Sequence, residues 1–292
     1  MTPLREWLAA EQRVVIQGIS GRVARGQLPI LREAGTNVVA GVVPERRGDV
    51  DGVPLFATVA EARTATGCNT SIVAVPPEDV RSACLEAIAE GLRLVVVLSE
   101  GVPVLDAIAI KRAAGGTLLV GANTPGMAVQ GVAKLGFMPS NLLRPGDVAI
   151  VSRSGTLSYE VALELTERGY GISTWIGVGG DAVPFLDLAG AVRVALDDPR
   201  TRALALVGEV GGDAEERLAD EMAGLPWPVP VHALIVGRGI SPERPMGHAG
   251  AAIRGGIGLY ETKVARLRAA GVQVHETPWD LAEALARSRN ES

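Results

Sequence analysis

The sequence contains very few cysteines, and this scarcity bounds its redox chemistry. Among 292 residues there are only two, Cys68 and Cys84. Their spacing matches no metal-binding pattern, and a disulfide framework is not expected in a chain of this size. We therefore expect two reduced thiols in a cytoplasmic enzyme.

Other absences exclude further classes of protein. The formal net charge of −5 argues against a nucleic-acid partner, because proteins that bind nucleic acids usually carry a basic surface. No apolar run reaches the roughly 18 residues that span a bilayer, and the first residues lack the apolar segment of a secretory signal. Aromatic residues make up only 3% of the chain, whereas it has 36 glycines and 18 prolines. A core of small aliphatic residues with many glycine turns favours an α/β fold.

Short aliphatic runs alternate with helix-compatible segments along the chain. Such runs, each followed by glycines, predict parallel strands that are buried on both faces. The alternation is interrupted over residues 127–146, which we interpret as a linker. The sequence thus predicts one α/β domain over residues 1–126 and a second over residues 147–292. Ligands of such open sheets bind at the carboxyl ends of the strands, where the glycines cluster.

The first glycine turn, "GISGRVARG", has Gly18 and Gly21 directly after a strand. A turn of this kind at a helix N-terminus suits a pyrophosphate, although the spacing is not GxGxxG and a purely structural turn is the alternative. The second strand ends without the acid that NAD-binding sheets use for ribose, and continues into Glu45, Arg46 and Arg47. This basic corner fits a ligand with additional phosphate better than NAD.

A second junction of strand and helix lies at "SRSGTLSYE". Free N–H groups and the helix dipole would stabilise a phosphoryl group beside Ser154, Gly155 and Thr156. Ser154 could equally be an ordinary N-cap. The GxSxG spacing of a nucleophile elbow is absent, which argues against a serine hydrolase.

The segments "VGEVGG" and "MGHAGA" contribute Glu209 and His248. Glu209 either holds an imidazole in one tautomer or is a capping or surface acid. His248 has small neighbours and no second histidine or cysteine nearby in sequence, so we predict no metal site. Acid–base or nucleophilic chemistry remains for it. The other histidines, His232 and His275, lie in apolar strands and are interpreted as structural.

Together these motifs resemble the α subunit family of succinyl-CoA synthetase (succinate–CoA ligase) and related ADP-forming acyl-CoA ligases, from about residue 13 onward. The resemblance implies a Rossmann-like CoA-binding domain followed by a flavodoxin-like ligase domain. It implies that His248 becomes phosphohistidine, that Glu209 orients it, and that the helix after "SRSGT" stabilises the phosphate. It implies substrate contacts at Tyr159 and Asn123. For CoA it implies contacts at Ser20, Gly21, Arg22, Val23, Arg46, Leu98, Ser99 and Glu100.

The implied activity is that of an acid–thiol ligase that forms ADP or GDP. A nucleoside triphosphate phosphorylates His248, the phosphohistidine activates a carboxylic acid such as succinate, and CoA displaces the phosphate, as in the tricarboxylic acid cycle. ATP or GTP with Mg²⁺ is expected mainly on a separate ATP-grasp β subunit, in a heterodimer or heterotetramer. The alternatives are a malate–CoA or citrate–CoA ligase subunit, or a CoA-binding regulatory module without turnover.

The sequence departs from the family pattern at three motifs. The first turn carries Arg22 and Arg25, Arg46 replaces a lysine, and Thr124 replaces the cysteine of "GPNCPG". The identity of the acid, the choice of nucleotide, the oligomeric state and the effect of these replacements on the ligand stay open at this stage.

Overall fold

The computed structural model describes residues 3–239, 253 and 257–290. These residues form two compact units. The first extends to Ser140 and includes Val183–Leu186, whereas the second comprises Asn141–Ala182 and resumes at Asp187. Each unit has helices and a largely parallel sheet, which confirms the predicted fold class.

The first unit alternates helices and strands. Its elements are α1 (Leu4–Glu11), β1 (Val14–Gln17), α2 (Arg22–Glu33), β2 (Val38–Val42), β3 (Asp49–Val50), β4 (Val53–Phe56), α3 (Val59–Thr66), β5 (Thr70–Val73), α4 (Val80–Ala89), β6 (Leu94–Val97), α5 (Val104–Ala113), β7 (Leu118–Gly121), β8 (Gly126–Val129) and β9 (Ala133–Gly136). Strands β1, β5 and β6 are buried along their whole length, as expected where helices cover both faces of a sheet.

The sheet of the first unit has the strand order β3-β4-β2-β1-β5-β6-β7. Only the β3–β4 pair is antiparallel among these neighbours. The six parallel strands β4-β2-β1-β5-β6-β7 follow the strand order of Rossmann sheets, which is written 3-2-1-4-5-6 when those strands are counted from one along the chain. Ligands of such sheets bind where the order reverses. The reversal lies between β1 and β5. There Gly18 has φ +84°, and a Cβ on it would lie 2.6 Å from the carbonyl oxygen of Ala74, so the close turn requires glycine.

The stretch 127–146 is not the linker that the sequence suggested, because it contains regular structure. Strands β8 and β9 pair as an antiparallel hairpin with Gly126 opposite Gly136. A Cβ on Gly126 would lie 2.2 Å from the carbonyl oxygen of Leu135, so the hairpin also depends on glycine. The first unit therefore extends beyond residue 126, and the next strand begins at Pro145.

The second unit repeats the alternation with a different strand order. Its elements are β10 (Pro145–Ser152), α6 (Gly155–Glu167), β11 (Ile172–Gly177), α7 (Leu188–Leu196), β12 (Ala203–Glu209), α8 (Ala214–Met222), β13 (Val231–Val236), α9 (Tyr260–Ala269), β14 (Gln273–His275) and α10 (Pro278–Asn290). The parallel strands lie in the order β14-β13-β12-β10-β11, which is the flavodoxin-like order with its reversal between β10 and β12. Every helix among the described residues is too short or too polar to cross a membrane.

Both cysteines belong to the interior of the first unit. Cys68 and Cys84 are buried and form no disulfide. Burial raises the pKa of the Cys84 thiol to about 12. A thiol with so high a pKa stays protonated at neutral pH and is a poor nucleophile, so Cys84 contributes to packing.

Candidate active site

Two serines organise the turn from β10 into α6. The hydroxyl of Ser152 donates to the Ser154 carbonyl at 2.6 Å and accepts from the Ser154 amide at 3.0 Å. The hydroxyl of Ser154 accepts from the Leu157 amide at 3.4 Å and so caps the helix. Gly155 and Thr156 then form the first turn, whose N–H groups have no intrahelical acceptor. The predicted phosphate-binding residues thus lie at a helix start that favours an anion.

Glu209 lies at the reversal point of the same sheet. Strands β10 and β12 are neighbours, with Ser152 aligned to Val207, and Glu209 is the last residue of β12. Its side chain is only 6% exposed, and its Oε1 lies 3.3 Å from Nη2 of Arg153. Its backbone amide donates to Oε1 of Glu215 at 3.0 Å. The carboxylate predicted from "VGEVGG" is therefore a buried, ion-paired group beside the α6 junction.

A buried ion cluster continues behind Glu209, formed by Arg153, Glu209, Glu215, Glu216 and Lys263. Arg153 bonds both carboxylate oxygens of Glu215 at 3.1 and 3.2 Å. Lys263 pairs with Glu215 and, at 2.8 Å, with Glu216. Burial alone would lower the pKa of Arg153 and raise that of Glu215, but their mutual attraction, assisted by Glu209 and Lys263, outweighs burial. The pKa of Arg153 is consequently raised and that of Glu215 lowered, so both groups are ionised at neutral pH.

His248 lies outside the described residues, but the chain on either side of it is anchored close to Glu209. Val236, at the end of β13, pairs in register with Glu209. Where the described chain resumes, the carbonyl of Gly258 accepts a hydrogen bond from the Gly211 amide at 2.8 Å. The described residues Val236 and Gly258, which flank that segment in sequence, therefore both lie against the carboxyl end of β12.

Tyr159 lies in the second turn of α6. Its ring meets that of Trp175 edge to face, with centroids 5.7 Å apart and planes at 73°. Burial raises the pKa of the Tyr159 phenol. The hydroxyl consequently stays protonated at neutral pH and can donate a hydrogen bond.

In the first unit, the predicted residues Ser20–Val23 form the turn from β1 into α2. The amide of Gly21 donates to the Gly18 carbonyl at 3.0 Å, and Gly21 occupies the N-cap position of α2. Arg22 begins the helix, and the side chain of Val23 is 58% exposed. The turn is thus open to solvent at the reversal point of the Rossmann sheet.

The predicted residues that follow β6 and β7 lie side by side. Asn123 has φ +54°, and its backbone amide donates a hydrogen bond to the Ser99 carbonyl at 2.8 Å. The hydroxyl of Ser99 donates to the Val75 carbonyl at 2.5 Å. Leu98 is buried and Glu100 is exposed. These residues and the β1 turn all follow carboxyl ends of parallel strands, so they share one edge of the sheet.

The basic residues near this edge differ in their partners. Arg25 forms two hydrogen bonds with the carboxylate of Asp51, at 3.0 and 2.8 Å. Arg22 and Arg46 are exposed, and their side chains form no hydrogen bond or ion pair with another described residue. Of the three arginines that depart from the family pattern, Arg22 and Arg46 therefore have guanidinium groups available for an anionic ligand.

Thr124, which replaces a cysteine of the family pattern, has a structural contact. It is 5% exposed, and its hydroxyl accepts a hydrogen bond from the Gly126 amide at 3.0 Å. The hydroxyl thereby stabilises the turn that begins β8.

The other two histidines form a pair on neighbouring strands. The rings of His232 and His275 stack with centroids 5.2 Å apart, and Nδ1 of His232 lies 3.0 Å from Nε2 of His275. Burial, together with His275, lowers the pKa of His232 to about 4. His232 is thus a neutral, buried imidazole in contact with the half-buried His275, which supports the interpretation of the pair as structural residues.

Comparisons with known proteins follow the same division into two units. The family "CoA binding domain" matches residues 9–101, and the family "CoA-ligase" matches residues 151–273. The succinate–CoA ligase [ADP-forming] subunit alpha of Aquifex aeolicus is 41% identical over 282 residues, which cover 95% of this chain and 92% of that protein. Subunit alpha 1 of the same enzyme from Archaeoglobus fulgidus is 41% identical, over 94% of this chain and 95% of that protein.

A solved structure supports the fold. ATP citrate lyase from Methanothrix soehngenii, in complex with citrate and coenzyme A, superposes with a TM-score of 0.83 over 95% of this chain. The sequences are 20% identical, and the chain spans about half (50%) of the length of that protein. At this identity the likeness concerns the fold alone.

A CoA-binding domain followed by a CoA-ligase domain, each with its candidate residues at the strand ends, defines a CoA-ligase chain. More closely, the chain belongs to the family of succinate–CoA ligase alpha subunits. This confirms the resemblance that the sequence motifs indicated.

Proposed function

We propose that this chain is the α subunit of a nucleoside-diphosphate-forming acid–CoA ligase, with succinate as the acid. The observation that carries the proposal is the reversal point of the second sheet. There the N-terminus of α6 and the ion-paired carboxylate of Glu209 lie together. The first can stabilise a phosphoryl group, and the second can accept an imidazole N–H.

The proposed reaction uses His248 as a carrier of phosphate. A ring nitrogen of His248 attacks the γ-phosphorus of the nucleotide, and the nucleoside diphosphate leaves. A carboxylate oxygen of the acid then attacks the phosphorus, which gives an acyl phosphate and restores the imidazole. The CoA thiolate finally attacks the acyl carbon and expels inorganic phosphate. Covalent catalysis thus divides one difficult transfer into steps that depend mainly on positioning and charge.

Each neighbouring group has a part in this proposal. Glu209 holds the imidazole in the tautomer whose free nitrogen faces the phosphorus. Ser154, Gly155 and Thr156 stabilise the transferred phosphate, and Tyr159 contacts the acid. At the first sheet, the residues after β1, β2, β6 and β7 bind CoA, with Asn123 near its thiol.

The partner completes the proposed enzyme. The relatives of this chain are named as alpha subunits, and we propose that the nucleotide and Mg²⁺ are bound by an ATP-grasp β subunit. Within the described part of the chain, no group of three histidine, cysteine or carboxylate side chains could hold a metal ion.

The proposal is tested by assaying the chain with and without its β-type subunit. We expect CoA-dependent release of ADP or GDP from the complex, fastest with succinate in a panel that includes malate and citrate, and no turnover from this chain alone. Faster turnover with citrate or malate would show that the proposed acid, succinate, is wrong. If the complex binds CoA but shows neither turnover nor phosphorylation, the proposal of a ligase is wrong and the chain is a CoA-binding regulatory module.

The CoA edge gives a second prediction, for Arg46→Ala. Loss of one charge-assisted contact to a phosphate removes about 1.5 kcal/mol, so the KM for CoA should rise roughly tenfold with kcat unchanged. The matched control is Arg25→Ala, whose guanidinium is already paired with Asp51; its KM should change less than about twofold. Steady-state kinetics over a range of CoA concentrations measure both. Equal effects of the two variants would remove Arg46 from the CoA site.

A further inference from the structure

Arg153 belongs to the "SRSGT" junction, but its guanidinium is directed to the end of the neighbouring strand. The residue is 8% exposed. Its Nη1 donates to the carbonyls of Glu209 and Gly211, at 3.2 and 3.0 Å, and to the carboxylate of Glu215. Its Nη2 lies 3.3 Å from Oε1 of Glu209. One side chain therefore contacts both the backbone and the carboxylate at the carboxyl end of β12.

We propose that Arg153 is a positioning residue, which fixes the carboxylate of Glu209 and through it the imidazole of His248, and that it is not a ligand of the transferred phosphate. This inference rests on the proposed function. An arginine next to a phosphate-binding turn would ordinarily be expected to contact the phosphate. Here the contacts with Glu209, Gly211 and Glu215 engage the guanidinium within the protein instead.

The need for such a residue follows from the burial of Glu209. A buried carboxylate is costly to leave without a charged partner, and a carboxylate that its neighbours do not hold cannot fix the direction of an imidazole N–H. The guanidinium supplies that partner from the side of the protein interior. Behind it, Glu215 fixes Arg153, and Lys263 fixes Glu215. The buried ion cluster has three carboxylates and two cations, and the excess negative charge suits an N–H donor at Glu209.

The geometry requires arginine rather than any cation. The planar guanidinium presents several N–H groups in a fixed fork, whereas lysine is a single flexible point charge. A lysine at position 153 could neutralise Glu209 or Glu215, but it could not also hold the Gly211 carbonyl. Arg153→Lys therefore retains the charge and removes the positioning.

The test is the rate at which the complex with the β-type subunit is phosphorylated by ATP in a single turnover. For Arg153→Lys we expect this rate to fall about 10- to 100-fold, as is usual when a group that orients a catalytic side chain is lost, with the KM values for ATP and CoA within about twofold of the wild type. The control, Arg193→Lys, alters an exposed pair with Glu221 (2.7 Å) in the same unit and should leave the rate unchanged. A structural lesion would instead alter the KM values together with the rate.

A double-mutant cycle separates positioning from general damage. If Arg153 acts through Glu209, then Arg153→Lys combined with Glu209→Gln is no slower than Glu209→Gln alone. Additive losses, or a wild-type rate in Arg153→Lys, would overturn the inference. Arg153→Gln, which keeps an amide donor, is measured in parallel, and circular dichroism identifies the variants that are folded. Absence of phosphorylation in the wild-type complex would instead remove the proposed function, and this inference with it.

Discussion

The variant His248→Asn is expected to lose phosphorylation and ligase turnover completely, by more than about 10³-fold. An amide side chain is polar and of similar reach, but its nitrogen has no available lone pair to attack phosphorus. The wild-type complex, incubated with γ-labelled ATP, should carry phosphate that is labile in acid and stable in base. The variant should carry none, while its affinity for CoA, which is bound by the other unit in our proposal, should be unchanged.

The control for this experiment is His275→Asn. His275 lies on β14 and pairs with His232 rather than with any residue of the site. The control variant should retain both the label and the turnover. Label of the same chemical stability in His248→Asn would assign the phosphate to another residue and would leave His248 without its proposed role.

The two sheets could be predicted from the sequence because their strands are short, aliphatic and buried on both faces. Strands such as β6 and β12 are buried throughout, so their composition alone distinguishes them from the amphipathic helices. The hairpin of β8 and β9 was missed for a physical reason. Its strands of four residues pair with each other, without an intervening helix, so the alternation that identified the other strands is absent there. Likewise, local pattern contains no signal that Val183–Leu186 belongs to the first unit.

The candidate site was only partly predictable. Ser154 and Glu209 stand at strand ends among glycines, and position along the chain sufficed to select them. The remainder of the buried ion cluster was missed. Glu215 and Lys263 occur in helices that are rich in charged residues, where a solvated face is the normal expectation. They are nonetheless fully buried, because the packing of α8 against α9 brings them into contact. The two residues are 48 positions apart in the sequence, so no local pattern signals this contact.

Lys263→Met should destabilise the protein strongly. The side chain of Lys263 is 0% exposed and pairs with Glu215, which is also fully buried, and with Glu216. Without Lys263, the three carboxylates of the buried ion cluster face Arg153 as the one cation left in it, and breaking a buried ion pair in this way reduces the free energy of unfolding by about 3–5 kcal/mol. Methionine has a similar length, so the loss comes from charge rather than from a cavity. Urea unfolding at pH 7, followed by circular dichroism, measures the difference.

The pH dependence and a matched control identify the cause of that loss. Despite burial, Arg153 and Lys263 lower the pKa of Glu215, so its stabilisation is present above the unfolded-state value, about 4.3, and is lost as the pH falls through the folded value. The deficit of Lys263→Met should accordingly be largest near neutral pH and shrink in acid. The control on the same helix, Arg266→Met, breaks an exposed pair with Asp220 (2.8 Å, side chains 57% and 58% exposed) and should change the stability by less than about 1 kcal/mol. Equal losses of stability in the two variants would contradict this prediction, and so would a deficit of Lys263→Met that does not depend on pH. In either case the charges of the buried ion cluster would add no stability, and its support for Arg153 would have to come from packing alone.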